Sequence, residues 1–152
     1  MNDVLFRKAR RDDVAAIVAL LADDALGAAR EVASDPPAQS YLDAFDAIDS
    51  DFNILLAVAE MKGEVVGCVQ IDYLPGLSRR GAWRGQIEAV AIARPLRGTG
   101  IGTAMIRWAV ERCRARGCTL VQLTSHKSRL DAHRFYERLG FEASHEGMKL
   151  TL

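Results

Sequence analysis

The sequence predicts an α/β domain, a mixed sheet flanked by helices, and three stretches carry that prediction. Residues 52–60 and 64–73 are apolar, β-rich runs separated by Met61-Lys62-Gly63, the pattern of a hairpin. Residues 86–92 read as a strand that passes through a glycine-rich turn into an amphipathic helix over 103–116. Residues 119–124 and 130–139 repeat the strand-then-helix alternation, and Gly140 stands where a helix C-cap would.

The other elements follow in order. Residues 5–9 form a first strand, and Asp12 or Asp13 caps a helix whose Val14, Ile17, Val18 and Leu21 keep i, i+3, i+4, i+7 spacing. Pro36-Pro37 must break any helix before them, and Tyr41, Leu42, Phe45 and Ile48 give a second helix over 38–49. Residues 75–84 are a loop, and 144–152 alternate enough to serve as a last strand. The resulting order is β-αα-βββ-α-β-α-β.

At 152 residues the chain is one domain, 1–152, with an ordinary 49% apolar and 26% charged content. Its uncharged apolar runs are too short to cross a membrane, and no secretion signal opens it. Three cysteines without a Cys-x-x-Cys pair fit reduced thiols and a cytoplasmic location. The histidines have no metal-ligand spacing, so no metal is expected. Zero net charge and the lack of aromatic-basic interleaving argue against nucleic acid. Charge is nevertheless segregated: residues 23–51 hold eight acids and one base, residues 79–116 nine arginines and two acids. A basic half suits an anionic cofactor and an acidic half a cationic acceptor; solvated helix faces account for many of the same side chains.

The turn Arg97-Gly98-Thr99-Gly100-Ile101-Gly102 is the strongest chemical signal. Glycines between a strand and a helix leave backbone N–H groups free at the helix N-terminus, where the dipole also favours a phosphate. A nucleotide triphosphatase loop would place lysine before Thr103, and a dinucleotide loop would need another glycine spacing and an acid near position 122, which is glutamine. The remaining pattern, Arg-x-x-Gly-x-Gly after a strand, resembles the acyl-coenzyme A pyrophosphate loop of the GCN5-related N-acetyltransferases (GNAT family). A second block, Ala132-x-x-Phe135-Tyr136-x-x-x-Gly140-Phe141, is similar to that family's last signature and lies one strand–helix unit downstream. The resemblance covers residues 52–150, and the first 50 by helix count and position.

The resemblance implies the GNAT fold, a mixed, mostly antiparallel sheet of six to seven strands with about four helices. It implies acetyl-coenzyme A as acyl donor, its pyrophosphate on the amides of Arg97, Gly98, Thr99, Gly100, Ile101, Gly102 and Thr103. It puts the pantetheine arm along Val90, Ala91 and Ile92, with Arg129, Ala132, Phe135 and Tyr136 beside it, and makes Tyr136 the acid for the leaving thiolate. Many members carry asparagine where this chain has Arg129; the local text around it resembles a bacterial branch that includes aminoalkylphosphonate acetyltransferases. Glu88 is the candidate base, on one face with Val90 and Ile92 if no bulge intervenes; Glu60, Asp72, Asp131 and His133 are rivals. The expected activity is acetyl transfer to a primary amine of a small cationic molecule. The alternatives are a protein or peptide N-acetyltransferase and a non-catalytic acyl-coenzyme A sensor. Homodimers are common in that family, and no residue pattern here requires one.

Overall fold

The computed structural model describes residues 3–152, so Met1 and Asn2 lie outside the account. Five strands form one sheet in the order β1-β2-β3-β4-β5: β1 Val4–Lys8, β2 Ile54–Met61, β3 Glu64–Leu74, β4 Trp83–Ile92 and β5 Cys118–Leu123. The first three pairings are antiparallel, and β4–β5 is parallel. The helices are α1 Val14–Ala22, α2 Gln39–Ser50, a single turn α3 Ser78–Gly81, α4 Ile101–Ala115 and α5 Leu130–Arg138. None of the described helices is long and apolar enough to cross a membrane.

Period-two patterning builds the sheet and divides the core. On one face Val69, Ile71, Tyr73 and Ile87 pack under Ile101, Met105, Ile106, Ala109 and Cys113 of α4. On the other, Leu56, Val58 and Cys68 meet Val14, Ile17, Val18 and Leu20 of α1 and Phe45 of α2. The β2–β3 hairpin turns on Lys62 and Gly63 with φ of 52° and 81°, the left-handed pair that matches strand twist. Gly85 leaves room for α4, since a Cβ there would lie 2.3 Å from the Cys113 sulfur.

Three expectations need correction. The strands number five rather than six or seven, because residues 144–152 form no strand and join no sheet among the described residues. Trp83 and Arg84, read as loop, open β4 by pairing with Cys118 and Leu120. Asp13 stands at the α1 N-cap position but makes no side-chain cap bond to the helix. A cation holds its carboxylate instead: Arg7 donates to both Asp13 oxygens at 2.8 and 3.0 Å and to Glu60 at 2.7 Å, and the Arg10 amide adds a fourth bond at 2.7 Å.

This cluster ties β1, β2 and the start of α1 together in a nearly closed setting, the Asp13 side chain being 8% exposed. Burial by itself would raise the Asp13 carboxyl, but the Arg7 guanidinium and the Arg10 amide outweigh it and hold it below its ordinary 3.8. A depressed carboxyl adds stability above its unfolded value and loses it as pH falls through the folded one. Asp13→Asn should therefore lower the unfolding free energy at neutral pH by about 2 kcal/mol. The deficit should shrink below pH 3.8 as the wild-type carboxyl takes up its proton; urea titrations at neutral and acid pH measure both, and a constant deficit would sink the assignment.

Candidate active site

The site starts from a break in pairing. β4 and β5 run together only from Trp83↔Cys118 to Ile87↔Leu123, so the Glu88–Ile92 half of β4 has β3 on one side and an open edge on the other. A bulge lies at the break. Between Cys68 and Gln70 on β3, the β4 partners jump from Ala91 to Glu88, and Ala89 takes φ of 52°. A left-handed alanine is uncommon, and here it adds one residue to β4 and reverses the facing of everything after it. Before it, Ile87 faces α4; after it, Val90 and Ile92 face α4 while Ala91 turns to the α1 side. Glu88 therefore does not share a face with Val90 and Ile92, as it would in a regular strand.

Instead Glu88 joins a polar strip on the α1 face. It is directly opposite Gln70, and Gln86 is opposite Asp72 and beside Gln122. The Gln122 amide donates to Gln86 at 2.6 Å, and the Gln86 amide donates to the Glu88 carboxylate at 2.9 Å. Gln70 holds Asp72 in the same way at 2.9 Å. Burial pushes the Asp72 carboxyl up, and the nearby Glu88 charge adds to the rise. The glutamines are what sequence reading missed; the polar pairs Gln70/Asp72 and Gln86/Glu88, two apart in otherwise apolar strands, were the available signal. The other rivals are held elsewhere: Glu60 by Arg7 at 2.7 Å, Asp131 by Arg134, and His133 by the His126 carbonyl at 3.0 Å.

At the end of β4 the chain enters the glycine turn. Gly98 and Gly100 have φ of 77° and 94°, Gly100 is the N-cap of α4, and a Cβ on Gly98 would meet nothing within 4 Å. The loop is thus an open cradle, with the first-turn amides of Ile101, Gly102 and Thr103 at a helix start that no side chain caps. Arg97 does not extend freely over it. Its guanidinium donates to the Ile92 carbonyl and to the Asp23 carbonyl, both at 3.0 Å, and Arg94 adds a bond to the Asp23 carboxylate at 3.0 Å. Arg97 thereby fastens the loop to β4 and to the C-terminus of α1. Thr99 Oγ1 donates to the Leu96 carbonyl at 2.6 Å.

Helix α5 closes the other side. A Cβ on Gly102 would lie 3.6 Å from Phe135 and 3.7 Å from Ile92, so Phe135 packs on the start of α4 and the end of β4. Tyr136 meets Phe135 and Phe141 edge-on, with centroids 5.0 and 5.7 Å apart. Burial pushes its phenol above the ordinary 10.0, Arg129 opposing the rise, so it is protonated at neutral pH. Its hydroxyl has no partner among the described hydrogen bonds and is not sealed from solvent. Arg129, the residue before α5, reaches Asp24 after α1 at 3.5 Å. The structure thus puts Phe135 against Gly102 at the start of α4 and ties Arg97 and Arg129 to Asp23 and Asp24 after α1. It packs Val90, Ile92, Phe135 and Tyr136 against the α4-side core, with Ala91 on the α1 side and Ala132 one turn before Tyr136 on α5. In the separate surface hollow between Lys8–Arg11 and α2, Lys8 pairs with Asp49 at 3.1 Å and Arg11 with Asp46.

Comparison with known proteins now decides the family. The profile of the acetyltransferase (GNAT) family matches residues 14–141. The chain belongs to this family. Its chemistry is accordingly that of an acyltransferase that draws on acetyl-coenzyme A. The chain is 36% identical to the aminoalkylphosphonate N-acetyltransferase of Salmonella typhimurium over 107 residues, 70% of this chain and 69% of the relative. It is 38% identical to the glucosamine 6-phosphate N-acetyltransferase of Trypanosoma brucei brucei over 90 residues, 59% of each. In structure it is similar to a transcriptional regulator from Bacillus halodurans C-125, with a TM-score of 0.95 and 46% identity over 98% of this chain and 99% of that one.

The bulge can be tested without reference to the acceptor. Ala89→Val puts a β-branched side chain at φ of 52° and should cost about 1–2 kcal/mol of stability, with weaker coenzyme A binding. Ala89→Gly should keep the binding. Denaturant titration and calorimetry read the two effects, and a valine variant equal to wild type in both would show that the bulge is dispensable.

Proposed function

We propose that the protein acetylates the primary amine of a small cationic molecule, with Glu88 as proton acceptor and Tyr136 as proton donor. One observation carries the reading: the Glu88–Ile92 half of β4 is free of β5, and the Glu88 carboxylate at its start is held by an amide and not by a cation. The place of Tyr136 in the family's last block makes its protonated phenol the proton donor. The glycine cradle, the free first-turn amides of α4 and the unpaired β4 edge fit an elongated phosphorylated thioester. Residues 97–103 would hold the pyrophosphate, and Val90, Ala91 and Ile92 the pantetheine arm, beside Arg129, Ala132 and Phe135. Bound there, acetyl-coenzyme A supplies the activated acetyl group.

The chain's own residues then supply the proton movements and the charge stabilisation. Glu88, its carboxylate steadied by Gln86, takes the proton of the acceptor ammonium directly or through one water, freeing the amine lone pair for attack. A backbone N–H of the open β4 edge receives the charge developing on the carbonyl oxygen. Tyr136 gives its phenolic proton to the departing sulfur, and its phenolate takes the second proton that the acylated nitrogen must lose. A cationic acceptor is favoured because Asp72 and Glu88 have amides, not cations, as their described partners. The acids after α1 are already neutralised by Arg94, Arg97 and Arg129. A second reading comes from the two relatives, whose named acceptors are amines that carry a phosphonate or phosphate. Arg129, held to Asp24 only at 3.5 Å, is the cation such a group would engage.

Release of coenzyme A thiol across polyamines, aminoalkylphosphonates, glucosamine 6-phosphate and short peptides separates these readings. Turnover on the phosphorylated amines alone would replace the cationic acceptor, turnover on peptides alone the small-molecule one. Tight binding of acetyl-coenzyme A with no turnover at all would indicate a sensor. On the active acceptor, Tyr136→Phe should lower kcat by about 100-fold with KM little changed. Since the wild-type phenol titrates above 10.0, no loss of rate from its ionisation is expected below that pH. Glu88→Gln should be slow at neutral pH and recover as pH approaches the acceptor's own amine pKa, where no base is needed. A deficit that stays constant with pH would remove Glu88 from the proton path.

A further inference from the structure

We propose that Gln122 is a positioning residue for the reaction: from β5, through the Gln86 amide, it fixes the rotamer of the Glu88 carboxylate. This role rests on the reading of Glu88 as proton acceptor and states how that carboxylate is aimed.

Glu88 needs such support. It occupies an exposed position of β4, and a glutamate side chain free in water spreads over many rotamers. A base is effective only in the geometry where its oxygen meets the ammonium proton. Its one described side-chain bond is the 2.9 Å contact from Gln86, two residues earlier on the same strand face. Gln70 stands directly opposite, but its amide is committed to Asp72 at 2.9 Å.

Polarity singles out Gln122. A glutamine amide donates at one end and accepts at the other, whereas an ionised carboxylate only accepts. Gln86 must therefore turn its NH2 to Glu88 and its carbonyl towards β5. There Gln122, its partner across the parallel pairing, donates to that carbonyl at 2.6 Å. Turning the Gln86 amide over would set oxygen against oxygen at Glu88 and NH2 against NH2 at Gln122. Two contacts thus hold the amide in one sense, where Glu88 alone would supply one. Successive hydrogen bonds also polarise one another, so a donor on β5 strengthens the bond that Glu88 receives.

No later residue of β5 can take this part. One rung on, Ile87 and Leu123 pack on the α4 side, and beyond them β4 leaves β5. The Gln86↔Gln122 pair is thus the last on the polar face before the groove opens. It carries the order of the paired half of the sheet to a carboxylate at the start of the unpaired half. Both glutamines are half-buried while Glu88 is exposed, so the anchored end of the chain is the protected one.

Side-chain amide signals in 15N NMR spectra of the full chain report this polarity without any acceptor. The Gln86 and Gln122 signals, assigned with Gln86→Met and Gln122→Met, should both shift as the Glu88 carboxylate takes up its proton. That shift should vanish in Glu88→Gln, which separates it from the titration of Asp72. In Gln122→Met the Gln86 signal should move towards that of free glutamine. A Gln122 signal indifferent to Glu88 would overturn the proposal. With the amine that the acceptor panel selects, Gln122→Met should lower kcat about 10-fold at neutral pH and recover as pH nears the pKa of that amine. Circular dichroism and the KM for acetyl-coenzyme A should not change. In the Gln86→Met or Glu88→Gln background the same substitution should add nothing further. If it slows Glu88→Gln as much as it slows the wild type, its part is structural and the proposal fails. A slow Glu88→Gln beside an unimpaired Gln122→Met would keep the base and remove only its positioning. A Glu88→Gln as fast as wild type would remove the base itself, and this role with it.

Discussion

The bulge at Ala89 is the constraint from which the site derives. A regular β4 would keep one set of side chains toward α4 along its whole length, and nothing would separate its two halves. With one residue inserted, Ile87 and Val90 both reach the α4 core, and Glu88 is left on the opposite face among glutamines and Asp72. β4 pairs with β5 up to Ile87, just before the inserted residue. The bulge is supported from β3, where the Cys68 thiol donates to the Ala89 carbonyl at 3.3 Å. Burial pushes that thiol up to about 12, so it stays a proton donor at every physiological pH. Cys68 belongs to the backbone geometry, and its sulfur has no chemical part to play.

The charge segregation in the sequence acquires a structural meaning in this frame. The acids that follow α1 are partnered by arginines: Asp23 takes Arg94 and Arg97 beside the glycine turn, and Asp24 takes Arg129 before α5. These pairs are substantially exposed, and individually such contacts contribute little to stability. What they provide is position. Arg97 joins the end of β4, the glycine turn and α1 by hydrogen bonds to the Ile92 and Asp23 carbonyls, so the loop that presents the α4 amides is fixed before any anion arrives. Preorganised donors avoid the ordering cost that a floppy loop would add to binding.

How much of this was legible depends on whether a residue type announces its backbone. Gly63, Gly98, Gly100 and Gly140 all have positive φ, and each was readable because glycine in a turn or at a helix end signals that conformation. The hairpin, the glycine turn and the α5 C-cap followed within a residue or two of their observed places. Ala89 gave no such signal, since alanine in an apolar run reads as regular strand; the shared face of Glu88, Val90 and Ile92 required that no bulge intervene, and one does. Arg97 was read as part of the phosphate loop from its place in a motif, while its guanidinium is held by Ile92 and Asp23, and the contact to Asp23 depends on tertiary packing. Residues 144–152 failed differently. Their alternation is genuine strand patterning, but pattern specifies what a segment needs and not which sheet supplies it.

Topology explains why the anion cradle and the open β4 edge are adjacent. β5 is parallel to β4, so the chain must cross from the end of one strand to the start of the other, and α4 is that crossover. The N-terminus of a crossover helix necessarily lies at the carboxyl end of the preceding strand, where the sheet also parts. In open sheets with parallel strands, ligands bind at such a crevice beyond the carboxyl ends. Here the bulge lengthens the crevice from a point into a groove by freeing Glu88–Ile92 from β5. One anionic end can rest on the helix amides while an extended arm lies along the freed strand edge. The parting of β4 from β5 thus supports the proposed site for a long phosphorylated molecule better than either glycine turn or helix dipole would alone.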